Sequence, residues 1–363
     1  MFTEFPTELR RRLTRYSHDP HSYNLSGGFA RGMEEGRVDA DASELHEIDV
    51  GARTLLVTDA ASDLPAEWRV SAGVLVLPIK LKNGEMSRID NGDEEAAMRF
   101  ATKHAALLNG STHTLAASID TTAELISQHA TDDTDFVLQI AMSSMRSNSY
   151  ANALTAAQKL MAQGSRERRR AGNSRPFKMW VVDSGASFNG HGVLIAECAR
   201  LLDSKVPVPQ MVQQVDGLRR RVHTIVVPRD LKLFHRSAAL PDAPVSRWVS
   251  RNIGQLFDRI PVALATHDEL RVIGAQRGFA LAATLALNQV IRCVEAGLDA
   301  PFVCASYAGD IADLAHIQAV SALAVVCSRH SVTLLIGTMS MTNVVLLGGG
   351  SLSISFAAPN FKG

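Results

Sequence analysis

The sequence predicts an α/β protein built from two α/β domains with a ligand cleft between them. Three observations lead there. Short apolar runs recur from Leu55 to Phe356, and stretches with helical spacing separate them. At 363 residues and 46% hydrophobic content, the chain has enough apolar surface for more than one core.

Residues 1–52 stand apart as an N-terminal extension. They mix charges, histidines and glycines (His18-Asp19-Pro20-His21, Gly27-Gly28) and show no sustained periodicity. A first domain follows over 53–205. Leu55–Thr58, Val74–Ile79, Phe136–Met142 and Met179–Val182 read as buried strands. Glu94–Leu108, Thr121–His129, Tyr150–Ala162 and Val193–Leu202 read as helices. Such alternation predicts a mainly parallel sheet, with ligands beyond the carboxyl ends of its strands. Ser165-Arg-Glu-Arg-Arg-Arg170 reads as a solvated loop, and Lys205-Val-Pro-Val-Pro209 as a joint between domains. The second domain, 206–363, has strand patterns at Thr224–Val227, Val262–Ala265, Phe302–Tyr307, Thr333–Ile336 and Leu352–Phe356. Its helical patterns are Phe279–Ala296 and Asp310–Val326.

Charge and cysteine content exclude several classes. The 37 basic residues balance 37 acidic ones, so the overall field of a general nucleic-acid binder is missing. The four cysteines form no C-x-x-C pair or zinc-type spacing, which suits reduced, buried thiols in a cytoplasmic protein. Arg10-Arg11-Arg12 has no apolar segment behind it, and no stretch reads as a membrane span.

The chemistry gathers at strand ends. Phe136–Met142 stops in Ser143, Ser144, Ser147, Asn148 and Ser149, and the helical pattern of Tyr150, Ala153, Leu154 and Ala157 follows. A strand–turn–helix of this kind assembles backbone N–H groups, hydroxyls and a positive helix end, which suits a phosphate or carboxylate. A serine that merely caps the helix is the plainer explanation for one such turn. Here, however, Asp59, Ser62 and Asp63 follow one strand, Asp183 and Ser184 another, and Gly337-Thr338 a later one. Asp59, Ser144, Asp183 and Ser184 are therefore candidate polar strand ends for a ligand head.

Catalytic and cofactor motifs are missing. Gly185-Ala-Ser187-Phe-Asn-Gly190 is not G-x-S-x-G, and His191 in a helix's first turn needs no catalytic reason. Gly348-Gly349-Gly350 leads into a strand pattern, Ser351–Phe356, so no helix follows to bind a dinucleotide. No catalytic residue, metal ligand or cofactor is predicted.

The order of these motifs resembles the DegV family of fatty-acid-binding proteins. Thr58-Asp59-Ala-Ala-Ser62-Asp63-Leu64-Pro65 and Val76-Leu77-Pro78 come first. Ser143-Ser144-Met-Arg-Ser147-Asn-Ser149-Tyr150 stands where the family has S-S-x-L-S-G-T-Y. Val182-Asp183-Ser184, with Ser187 and Gly190, and Gly348-Gly-Gly350-Ser-Leu352-Ser-Ile-Ser-Phe356 complete the set. The resemblance implies an acyl chain between two domains, with its carboxyl head on hydroxyls and backbone N–H groups. It implies ligand-binding roles for Ser147, Asn148 and Ser149, for Thr114 in Thr114-Leu-Ala-Ala-Ser118, for Arg277 before a helix, and for Leu346. It also implies a separate fatty-acid kinase as partner. The chain departs from the family pattern at four points. Leu346 replaces a histidine, Arg236–Leu240 replaces G-G-R-I-S, Asn148 replaces glycine and Ala60 replaces serine. These departures bear on kinase coupling, while the two-domain fold does not depend on them. Two other function classes stay open: an enzyme or sensor for a small anionic metabolite, and a protein-interaction module docking through residues 1–52 or Arg166–Arg170.

Overall fold

A computed structural model describes residues 53–103, 112–131, 133–170, 175, 177–237, 259–267, 269–359 and 361. The extension 1–52 and residues 104–108 of the first predicted helix lie outside the described residues. So do 238–240 of the segment matched to G-G-R-I-S.

The first sheet is parallel throughout and has the order β2-β1-β6-β7. Its strands are β1 (Thr54–Asp59), β2 (Val74–Leu77), β6 (Phe136–Ala141) and β7 (Lys178–Asp183). β6 is buried along its whole length, as a central parallel strand covered on both faces must be. Alternate residues serve the two layers. Val57, Val137 and Met179 pack with α3 (Ile119–His129) and α4 (Ser149–Arg170), whereas Leu56, Leu138 and Val182 pack with α5 (His191–Asp203). The chain leaves β1 for β2 on one side and later returns through β6 on the other. The carboxyl ends of β1 and β6 thus form the switch point where open α/β sheets bind ligands.

The predicted strand Val74–Ile79 is two strands. Pro78 has no N–H for the ladder, so β2 ends at Leu77. β3 (Ile79–Asn83) then joins β4 (Met86–Asp90) and β5 (His113–Leu115) in a separate antiparallel sheet of order β4-β3-β5. Between these elements lie α1 (Ala66–Ser71) and α2 (Glu94–Lys103).

Ser165–Arg170, expected as a loop, is the last part of α4. Arginine is a good helix former, and cations suit a helix C-terminus. Arg168 also ties the helix down, donating to Asp135 Oδ1 at 3.2 Å and stacking over Phe177 at 5.5 Å. Lys205–Pro207 is a tight turn into α6 (Val208–Arg219), which packs on α5.

The second sheet has the order β10-β9-β8-β13-β11-β12. It comprises β8 (Val222–Val227), β9 (Arg259–Ala265), β10 (Leu270–Arg277), β11 (Phe302–Tyr307), β12 (Thr333–Thr338) and β13 (Leu352–Ala357). Only β11 and β12 pair in parallel; the other neighbours are antiparallel. α8 (Phe279–Ala296) and α9 (Gln318–Arg329) cover its outer face. The pattern read as one helix over Asp310–Val326 divides into a 3₁₀ turn at Ile311–His316 and α9. Short helices α7 (Leu231–Ser237) and α10 (Met341–Leu347) complete the described elements.

Among the described residues α8 alone is long and apolar enough to cross a membrane. Its Ala282, Ala283, Ala286, Leu287 and Val290 pack into the core with Ile225, Val262 and Leu264 of the sheet. The four cysteines are buried thiols, and burial pushes Cys327 up to about 12 and Cys293 up to about 11.

Candidate functional site

The polar turns converge where the first sheet reverses its strand order. Asp59, at the end of β1, caps the following 3₁₀ turn by accepting the Ala61 N–H at 3.1 Å. Its Oδ1 also faces His191 Nε2 at 3.0 Å, and its Oδ2 accepts the Ser149 hydroxyl at 3.4 Å. Asp183, at the end of β7, accepts three hydrogens. Ser144 N–H and Gly185 N–H reach Oδ1 at 3.1 and 3.0 Å, and the Ser144 hydroxyl reaches Oδ2 at 2.5 Å. Ser184 is buried and accepts the Ala186 N–H at 3.1 Å.

Between these carboxylates runs the turn into α4. The Ser143 carbonyl accepts the N–H groups of Arg146 and Ser147 at 2.9 and 3.0 Å. The Ser147 hydroxyl accepts the Ser149 N–H at 3.1 Å, and the Asn148 carbonyl accepts Asn152 N–H at 2.9 Å. Ser147 therefore stands two residues ahead of the helix and secures one of its orphan N–H groups. Burial lowers the Arg146 guanidinium from its ordinary value. It raises the Tyr150 phenol, with Asp183 adding to the rise.

Asp59, Ser144, Ser147, Asn148, Ser149, Asp183 and Ser184 thus share one edge, as the sequence suggested. The other three predicted residues lie elsewhere in the fold. Thr114 is in β5, opposite Leu81. Arg277 is the exposed last residue of β10, on the edge of the second sheet. Leu346 is half-buried in α10, against the apolar cluster of Leu81, Phe100, Phe188, Phe234 and Met339.

This edge meets the second sheet and α10 along a polar seam. Asp63, with left-handed φ of 53°, accepts Ser306 Oγ at 2.6 Å, Ser340 N–H at 2.9 Å and Asn343 Nδ2 at 2.9 Å. Burial nevertheless outweighs these donors and pushes its carboxyl up to about 6. Asp90 accepts both the N–H and the hydroxyl of Thr342, at 2.8 and 2.7 Å. Asn189 donates to the Cys304 carbonyl at 3.1 Å and accepts the Ser353 and Ser355 hydroxyls at 2.6 and 2.7 Å. Gly337 is needed at this seam, because a Cβ there would stand 2.2 Å from the Asp63 carbonyl oxygen. A cavity of about 10 Å³ lies here, bordered by Ala60, Asp63, Leu64, Val76, Thr338 and Ser340. That volume holds roughly one water. No cluster of three or more metal-ligating side chains occurs among the described residues.

Sequence reasoning missed Asp63 as a bridge from the first sheet to Ser306 and Ser340, and it set His191 aside. The serines of β13 carried a readable signal. Ser353 and Ser355 alternate with Leu352, Ile354 and Phe356, so one face of a buried strand is polar and must find partners. His191 is fully buried on Asp59, a long-range pairing that no local spacing announces.

Comparisons with known proteins agree with this architecture. The family model described as "Uncharacterised protein, DegV family" matches residues 53–359. A DegV domain-containing protein of Xanthomonas axonopodis pv. citri is 30% identical over 303 residues, covering 84% of this chain and 96% of that relative. A solved structure described as fatty acid binding of a DegV family protein from Thermus thermophilus has a TM-score of 0.64 at 21% identity. It covers 85% of this chain and 100% of that one. A structure of DegV, a fatty acid binding protein from Bacillus subtilis, has a TM-score of 0.62 at 16% identity, with the same coverage. At those identities the structural likeness speaks for the fold, and the family model together with the Xanthomonas relative speaks for descent: the chain belongs to the DegV family.

Proposed function

We propose that this protein binds a long-chain fatty acid, holding the carboxyl head at Ser147, Asn148 and Ser149 and the acyl chain in the apolar cluster around Phe188, Met339 and Met341. Thr114, Arg277 and Leu346 are the further ligand contacts of this reading. One observation carries it. The loop after β7 starts at Asp183 on the polar edge and within a few residues buries Phe188 among Leu81, Phe100, Phe234, Met339 and Met341. A polar anchor therefore adjoins a continuous apolar interior, which is the arrangement an amphiphile requires. The fatty acid binding stated for the Thermus thermophilus and Bacillus subtilis relatives supports the same reading.

Each buried CH₂ contributes about 0.8 kcal/mol, so a long chain binds tightly with few polar contacts. In this reading the chain enters by displacing side chains of that cluster. Met339 and Met341 suit that displacement because unbranched thioethers repack readily. The protein acts as a carrier in this reading. Hydroxyls and N–H groups stabilise a bound head group without turning it over, and acyl phosphorylation belongs to a separate kinase with its own phosphoryl donor.

The polar lining of the small cavity, Asp63 and Ser340 above all, favours a second reading as a binder of a small metabolite. Mass spectrometry of gently purified protein separates the two. The lipid reading expects a stoichiometric acyl ligand and an affinity that rises about fourfold per added CH₂. Protein free of acyl ligand that also rejects added fatty acids refutes it. Turnover of acyl esters or acyl phosphates that depends on Ser147 or Asp183 reverses the carrier assignment.

A further inference from the structure

We propose that the polar edge selects a head group that donates a hydrogen bond, so that a long-chain acid is held with its proton in place. This rests on the lipid-binding reading of the same site.

The inference follows from where the edge directs its own hydrogens. A serine hydroxyl has one hydrogen to give and two lone pairs. Ser144 gives its hydrogen to Asp183 Oδ2 at 2.5 Å, and Ser149 gives its own to Asp59 Oδ2 at 3.4 Å. Both oxygens then have lone pairs alone left to offer a ligand head. Ser147 and Ser184 are arranged the other way, since each hydroxyl oxygen receives a backbone N–H, from Ser149 and Ala186 respectively. Their hydroxyl hydrogens remain to be given. Donors beside acceptors complement a protonated carboxyl, an alcohol or an amide. An ionised carboxylate accepts only and would meet bare lone pairs at Ser144 and Ser149.

The charges around the edge act in the same direction. Asp59 and Asp183 stand at two strand ends, and like charges disfavour a third carboxylate. The geometry at His191 fits a ring that carries its hydrogen on Nε2 and donates it to Asp59, while Nδ1 is buried without a partner in the described structure. Two cations oppose them. Arg219 donates to the Asp183 carbonyl at 3.1 Å and pairs with Asp216 through Nε at 2.8 Å, and Arg146 lies in the turn itself. His267 packs against Gly185, and Tyr150 opens the helix beside Asp183. Arg146 is the cation of the turn that adjoins Ser147, and with the N-terminus of α4 it offsets part of the negative charge of Asp59 and Asp183.

Calorimetric titration of the full chain with dodecanoic acid, dodecanol and dodecyl sulfonate tests the proposal. Affinity for the acid is expected to fall roughly tenfold per pH unit from about pH 6 to about pH 8, while that for the alcohol stays constant. The sulfonate, which stays ionised, is expected not to compete. Asp183→Asn removes one charge and lets the Ser144 hydroxyl turn to a ligand, so it should flatten the acid's profile. Ser144 is exposed and Asp183 half-exposed, so this variant keeps the fold. Sulfonate binding as tight as that of the acid overturns the proposal, as does acid affinity independent of pH or an Asp183→Asn profile as steep as wild type. Failure of all three ligands at every pH instead refutes the lipid-binding reading, and this inference falls with it.

Discussion

Replacing Asp63 with asparagine measures how strongly a buried charge loads the junction between the two sheets. Asp63 is buried, and burial pushes its carboxyl from the ordinary 3.8 up to about 6 despite three donors. Between about pH 4 and 6 the unfolded chain has lost this proton and the folded chain retains it. Stability from this group is thus complete below the lower value and declines as pH rises through the folded one. A factor of ten in proton affinity corresponds to about 1.4 kcal/mol, so the gap from 3.8 to about 6 amounts to ~3 kcal/mol. Asparagine cannot ionise and escapes that decline. It has its own cost, because its NH₂ must face one of three groups that already donate: Ser306 Oγ, Asn343 Nδ2 or the Ser340 N–H. One buried donor without an acceptor costs about 1–3 kcal/mol at any pH. The variant should therefore be the less stable protein at about pH 4, with a deficit that shrinks by ~3 kcal/mol, or reverses, at about pH 7.5. Urea midpoints of both proteins at constant ionic strength read this directly, since other titrations cancel in the difference. A difference between them that is the same at both pH values refutes the argument.

Other outcomes follow from the same contacts. Asn189→Ala strips partners from the Cys304 carbonyl and the Ser353 and Ser355 hydroxyls, of which only Ser355 has Thr224 at 2.9 Å to turn to. Urea denaturation should show a loss of about 2–4 kcal/mol, and a loss under about 1 would mean that the seam repacks freely. Ser147→Ala should weaken fatty-acid binding by about 0.5–1.5 kcal/mol and lower stability by about 1 kcal/mol. Calorimetry and thermal melts separate the two effects, and unchanged affinity would reduce Ser147 to a helix cap. Leu346→His should leave the protein folded and add an imidazole resonance that moves on ligand addition; a resonance indifferent to ligand would remove Leu346 from the ligand contacts.

What could be read from the sequence was whatever repeats locally. The strands β1, β6, β7, β11 and β13 and the helix Phe279–Ala296 were legible because apolar periodicity reports a buried face directly. Ser143–Ser149 is legible as a polar turn at a strand end because an apolar strand ending in hydroxyls is visible without tertiary information. The break at Pro78 was hidden inside a run that is apolar on both sides of it, and only pairing partners reveal that the run serves two sheets. Arg166–Arg170 is helical although its charge density reads as a loop, because Asp135, the anchor of Arg168, lies far back in the chain. Pairings such as Asp59 with His191 and Asp63 with Ser340 span more than a hundred residues, beyond the reach of any local pattern.

Helix α5 has a mechanical consequence. Val193, Leu194, Ile195 and Ala196 have no exposed surface, and the helix contacts β1 and β6 on one side and β11 and β13 on the other. Parting the sheets at this helix would wet a core common to both, so it behaves as a spine. In the proposed lipid reading, widening falls instead to the cluster where Phe188, Met339 and Met341 meet Leu81 and Phe100. The spine also couples the halves in unfolding. A chain severed after Asp203 would strip α5 from the second sheet's face at β11 and β13, and neither fragment inherits a complete interior.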